Sequence, residues 1–165
     1  MTFIQYTYIV LIILSILLIF SLYFDHPKSI KINQTTVENF NFNLLYEKHP
    51  IVIQDVVKNI DDITNLWFKQ NFVKKLTDIS NDTSNWKKCN SKYTIIQANQ
   101  DQEIHICNPY TEFVNNVPCS NSNIISIQLK TDQFLIIPHK WYYITDYQNI
   151  IISINDFFTI CNDLR

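Results

Sequence analysis

None of the 165 residues is glycine. Glycine takes positive φ without steric penalty, so every left-handed turn position here must be filled by a residue that carries a Cβ. Asn and Asp tolerate that conformation best. Asn115-Asn116 and Asn121-Ser122-Asn123 therefore read as turns. The same absence excludes the glycine-rich loops that cradle phosphates in nucleotide-binding folds. Alanine occurs once, at Ala98, and arginine once, at Arg165, while Ile and Asn are abundant. The avoided residues are those with GC-rich codons, which points to an AT-rich genome.

Residues 1–24 contain no charged side chain, and Ile9–Phe20 is almost entirely aliphatic. About 20 apolar residues in a helix rise roughly 30 Å, the thickness of a bilayer's hydrocarbon core. The stretch is expected to be a retained single-pass anchor in the lipid bilayer. A cleaved signal peptide would carry a basic segment first, yet no Lys or Arg precedes the run and Tyr23-Phe24-Asp25-His26-Pro27 follows it. Tyr6, Tyr8 and Tyr23 sit where amphipathic aromatics favour the headgroup layer. The polar stretch after Pro27 reads as a linker, which divides the chain into an anchor at 1–24, a linker at 25–43 and one domain at 44–165. Lys28 and Lys31 follow the span, so the positive-inside bias places the domain on the cytoplasmic side. Two sequons, Asn33-Gln34-Thr35 and Asn81-Asp82-Thr83, would be glycan acceptors in the opposite topology.

A net charge of −2, with basic pairs only at Lys74-Lys75 and Lys87-Lys88, argues against a nucleic-acid partner. Cys89, Cys107, Cys119 and Cys161 all follow the anchor, and an even count allows either two disulfides or buried free thiols. No C-x-x-C spacing supports a zinc knuckle or a redox pair.

Asp61-Asp62 followed by Ile63, Leu66, Trp67, Val73 and Leu76 predicts one or two amphipathic helices over 61–78. Ile51–Gln54, opened by Pro50, predicts a strand. After Trp86 come short β-branched or aromatic runs at 93–97, 103–107, 124–129, 134–137, 141–145 and 150–154, separated by Asn, Asp, Ser or Pro. The expected class is mainly β. Alternation at 124–129 fits a half-buried strand, and the continuous run at 134–137 fits one covered on both faces.

Residues 129–144, LKTDQFLIIPHKWYYI, resemble the late strand pair of the cupin-like JmjC family, whose usual form is L-x-P-G-D-x-L-x-I-P-x-x-W-W-H-x-V. Leu129, Ile137, Pro138 and Trp141 match in register. Residues 46–57, YEKHPIVIQDVV, are similar to the family's opening K-P-V-V-I-R-G strand, which precedes a helix bearing a tryptophan, here Trp67. The likeness covers about residues 44–157 and implies a double-stranded β-helix. Many members are iron- and 2-oxoglutarate-dependent hydroxylases that hold iron with an H-x-D pair and a late histidine.

Carried over residue by residue, the resemblance implies a degenerate site. The late histidine falls on Tyr143, the turn glycine on Asp132 and the following aspartate on Gln133, and no H-x-D segment is present. A facial triad needs two imidazoles and a carboxylate, and a phenol with a pKa near 10 is a poor substitute. Trp141, Tyr142 and Tyr143 are expected to fill the emptied pocket. His105, Cys107 and His139 form an alternative set for a soft metal, whereas His26 and His49 read as turn or surface residues. The expectation is a non-enzymatic, cofactor-free structural or docking module on a membrane, with a protein partner or a second copy, in a large DNA virus. Two alternatives stand beside it: a metalloenzyme using His105, Cys107 and His139, and a disulfide-bonded ectodomain for attachment or entry.

Overall fold

The computed structural model describes residues 3–24, 26–68, 73–77, 85–119, 124–156 and 159–160, with backbone alone at 3–4, 19–24 and 73–77. The elements in chain order are α1 (Phe3–Phe24), β1 (Asn33–Thr35), α2 (Asn43–Tyr46), β2 (Ile51–Ile53), α3 (Ile60–Trp67), β3 (Val73–Thr77), β4 (Lys87–Lys88) and β5 (Tyr93–Gln97). They continue with β6 (Gln102–Cys107), β7 (Phe113–Val114), β8 (Val117–Pro118), β9 (Ile124–Leu129), β10 (Phe134–Pro138), β11 (Tyr142–Thr145) and β12 (Ile150–Asn155). A six-stranded sheet runs β1-β2-β10-β5-β12-β3, a four-stranded sheet runs β4-β11-β6-β9, and β7 with β8 forms a hairpin. Only β1 and β2 pair in parallel among the described ladders.

Period-two alternation along β10 explains why the fold has two apolar cores. Leu135 and Ile137 join Ile96, Ile104, Ile106, Ile127 and Trp141 between the two sheets. Phe134 and Ile136 point the other way and join Ile51, Ile95, Ile152 and Ile60 beneath α3. Because successive strand side chains face opposite sides, a strand covered on both must be apolar throughout, and all five β10 residues are buried. In β9, by contrast, Ile127 and Leu129 are buried while Ser126 and Gln128 are exposed, as expected of a strand with one wet face.

The predicted strands from 51 onward are present, with bounds shifted by a residue or so at β2, β6, β10, β11 and β12. Two segments differ from expectation. The helix over 61–78 is shorter: α3 ends at Trp67, and 73–77 is a strand paired antiparallel with β12, Leu76 opposite Ile152. Val73 and Leu76 suit a helix by spacing, but joining the edge of an apolar sheet satisfies the backbone and overrides that local preference. Asn59 caps α3 by accepting from the Asp61 amide at 3.2 Å. The second difference is the stretch 25–43, read as a linker, which supplies β1 against β2 and places Phe40 flat on Trp67 with centroids 3.9 Å apart.

Five described residues adopt positive φ. Asn115 (51°), Asn116 (63°) and Asp132 (64°) are the Asn and Asp that a glycine-free chain is expected to use in left-handed positions. Lys48 (55°) and Lys140 (68°) were not foreseen. Both are held through their backbones: the Lys140 amide donates to the Cys89 carbonyl at 2.7 Å, and the Lys48 carbonyl accepts from the Trp141 side chain (Nε1) at 3.2 Å. Asn121-Ser122-Asn123 lies outside the described residues.

Helix α1 has 22 residues and no charged side chain. Its side chains are described for residues 5–18, and every one of these is exposed, Ile9 through Leu14 included. Among the described residues no helix is long and apolar enough to cross a membrane; the stretch 5–18 alone falls short of the roughly 20 residues a bilayer requires.

Candidate functional site

The junction between β10 and β11 brings the late motif together. β10 ends at Pro138, which lies opposite Tyr93 and is buried, and the chain turns through His139 and Lys140 into the fully buried Trp141. Tyr143 follows on β11 opposite Ile106 and is 6% exposed. Trp141, Tyr143 and Cys89 thus belong to the core between the sheets together with Ile104 and Ile106. Burial pushes the Tyr143 phenol well above its ordinary range, and the neighbouring Cys89 thiol pushes it in the same direction. The Cys89 thiol is itself raised to about 12 by burial, against a lowering hydrogen bond from Thr94. This interior holds neutral groups and offers an incoming cation no anionic oxygen or thiolate at neutral pH.

The other positions expected at a degenerate site, with His139 among them, are separated. Asp132 and Gln133 lie in the turn before β10, and His139 lies after its far end. Gln133 uses its amide locally, donating to the Gln54 carbonyl at 2.6 Å and accepting from the Lys130 amide at 3.0 Å. His139 Nδ1 donates to the Ser91 carbonyl at 3.1 Å, and burial lowers its pKa, with Lys140 and His26 adding to that lowering. His105 stands on the outer face of the four-stranded sheet, its Nδ1 2.9 Å from Ser126 Oγ and 3.9 Å from Glu103 Oε1. Cys107, on the same strand, is buried, and desolvation raises its thiol to about 11. The alternative metal set of His105, Cys107 and His139 is therefore not assembled, and among the described residues no group of three or more His, Cys, Asp or Glu is placed to hold a metal.

Cys89, Cys107 and Cys119 are free thiols, which among the described residues is the second of the two alternatives, and Cys161 lies outside the described residues. The reason is placement: Cys89 and Cys107 occupy buried sites in the fold, whereas Cys119 is exposed after β8.

Two features escaped sequence reasoning. One is an open cleft of about 440 Å³ at the Asp132 end, bordered by Gln34, Gln54, Gln128 and Gln133 with Asp101 and Lys130. Its amides are partly spent on one another, since Gln54 Nε2 donates to Gln34 Oε1 at 3.0 Å, and Thr131 secures Asp101 through its amide and hydroxyl. Gln34 lay in the supposed linker, so nothing in its local sequence placed it there. The second is His26, which is 6% exposed rather than at the surface. Its Nε2 donates to the His139 carbonyl at 3.0 Å, and its own carbonyl accepts from the Tyr110 hydroxyl at 3.1 Å. His49 is likewise buried, at 8% exposure. No protein-family model matches the chain, and a search of curated proteins found no match.

Proposed function

We propose that this chain is a membrane-anchored, non-enzymatic module in which a degenerate cupin-like domain serves a structural or docking role. Tyr143 carries the reading. It occupies the position at which the resemblance demands an iron-binding histidine, and it is packed into the interior with Trp141 and Cys89. A phenol held above its ordinary pKa is a worse metal ligand still, because binding would first require deprotonation in a low-dielectric site. The two facing sheets and the β10–β11 junction are compatible with a double-stranded β-helix. The anchor is supported by the 22 charge-free residues of α1 and by the outward-facing aliphatic side chains along its described part. An AT-rich composition and a tethered β-domain suit a membrane component of a large DNA virus.

The test is direct. Full-length protein in membranes should resist extraction at high pH, and calorimetric titration of the detergent-solubilised protein with Fe(II) and 2-oxoglutarate should give no heat of binding. Stoichiometric iron lost on His105→Ala or His139→Ala would replace this reading with the metalloenzyme.

A further inference from the structure

We infer that the end of the domain bearing the β7–β8 hairpin, β4 and the β10–β11 turn is a second membrane contact, lying in the lipid headgroup layer. The inference rests on the anchor reading above. It begins from the tether: α1 runs to Phe24, and His26 is already fixed in the domain, its ring bonded to His139 and its carbonyl to Tyr110. Two virtual bonds of about 3.8 Å separate these points, so the His26 backbone, and with it the Tyr110 and His139 it is bonded to, stays close to the helix end. Whatever lies beside His26 is held at the membrane surface.

What lies beside it has interfacial chemistry. Tyr110 is 51% exposed, and the hairpin tip presents Val114 and Val117, each 62% exposed, across the left-handed Asn115-Asn116 turn. Exposed valines flanking a polar turn gain nothing from water, but they suit the boundary between headgroups and acyl chains. The hairpin is mounted rigidly, with Phe113 packed on Tyr142 at 4.4 Å and on Trp86 at 5.8 Å. Amphipathic aromatics prefer this layer. Lys87 and Lys88 lie on β4 opposite Tyr143 and Tyr142, and the Lys88 ammonium sits 5.5 Å from the centre of the Tyr142 ring. Among the described residues by this turn and hairpin, Lys48, Lys87, Lys88, Lys92 and Lys140 outnumber Glu47, Glu112 and Asp156, so anionic headgroups are favoured. The opposite end of the domain, with the amide-lined cleft and Lys130, faces away from the bilayer.

The experiment uses full-length protein reconstituted in phosphatidylcholine vesicles containing one-third phosphatidylserine. In a Cys119→Ser background a fluorophore is attached at Asn116→Cys or at Lys130→Cys, and the acyl chains carry bromine as a quencher. The expected result is at least twofold quenching of the probe at 116, little at 130, and loss of the quenching at 116 when Val114 and Val117 are both changed to Asp. Equal quenching at the two sites in protein that still floats with vesicles overturns the inference and leaves the anchor standing. Protein that does not float overturns both. A probe at 116 that responds to protein density rather than to bromolipid assigns the hairpin to self-association instead, which also overturns it.

Discussion

His26 Nε2 lies 3.0 Å from the backbone carbonyl oxygen of His139. A carbonyl can only accept, so Nε2 carries the proton, and the same argument puts the His139 proton on Nδ1, facing the Ser91 carbonyl. Each imidazole thus donates its N–H to a backbone oxygen, and the His26 bond fixes residue 26 against the β10–β11 turn.

That arrangement predicts a pH dependence. Burial holds His139 and His49 below their ordinary range, so the folded state favours the neutral rings. The unfolded chain, with histidines near 6.5, takes up protons first as pH falls. Stability should be full above about pH 6.5 and decline below it, towards the lower folded values. His139→Asn keeps a donor for the Ser91 carbonyl and removes the titration, so the slope of unfolding free energy between about pH 7 and 5 should shrink. An unchanged slope would place the proton uptake elsewhere. Glu47, Asp101 and Glu103 are held low by bonds from Asn33, Thr131 and Ser126, and they add loss of the same sign at more acid pH.

Trp141 is fully buried and donates to the Lys48 carbonyl. Trp141→Ala should destabilise the fold by about 3–5 kcal/mol, through lost burial and the cavity left behind. Trp141→Phe should cost less while still forfeiting the bond. Urea unfolding of residues 26–165 measures both, and near-wild-type midpoints for the alanine variant would mean the ring contributes little to the core.

The glycine-free turns carry a cost that substitution can expose. Lys140 sits at φ 68°, a conformation costing about 1–2 kcal/mol for a residue with a Cβ. Glycine recovers that but loses roughly 0.5–1 kcal/mol in chain entropy. Lys140→Gly should therefore stabilise the protein by about 0.5 kcal/mol, whereas Lys130→Gly, at a position without positive φ, should destabilise it. A lower melting temperature for both variants would contradict the argument.

Thiol reactivity should divide by environment. Cys119 is exposed, whereas Cys89 and Cys107 are buried with thiols raised to about 12 and about 11. Thiolate is the reactive form, so native protein should alkylate at Cys119 within minutes and at Cys89 and Cys107 only after unfolding. Mass mapping of iodoacetamide adducts reads this out, and fast labelling of Cys89 would contradict its placement.

The strands legible in the sequence were those whose pattern matches their burial on their own terms: β5, β10 and β12 as apolar runs and β9 as an alternation. β1 was hidden because Asn33-Gln34-Thr35 carries no apolar signal; its order comes from the β2 edge and from Asn33 Nδ2 donating to Glu47 at 2.9 Å. β3 was hidden because Val73 and Leu76 also fit a helical period, and only its pairing with β12 decides the matter. Of the candidate site, Tyr143 could be placed through its register to Trp141. The role of His26 could not, because its meaning comes from a residue 113 positions away.

That separation also sets an order of events during synthesis. The His26 ring leaves the ribosome early, but its acceptor on His139 comes only after β10, and β10 is the strand that joins β2 to β5. Until residues 134–138 are made, β1 and β2 have no bridge to the rest of their sheet. If α1 enters the bilayer first, the remainder waits beside it as an open chain, and closure is late, long-range and therefore slow. A truncation before residue 134 should thus expose β2 and β5 as unpaired apolar edges and aggregate rather than fold in part.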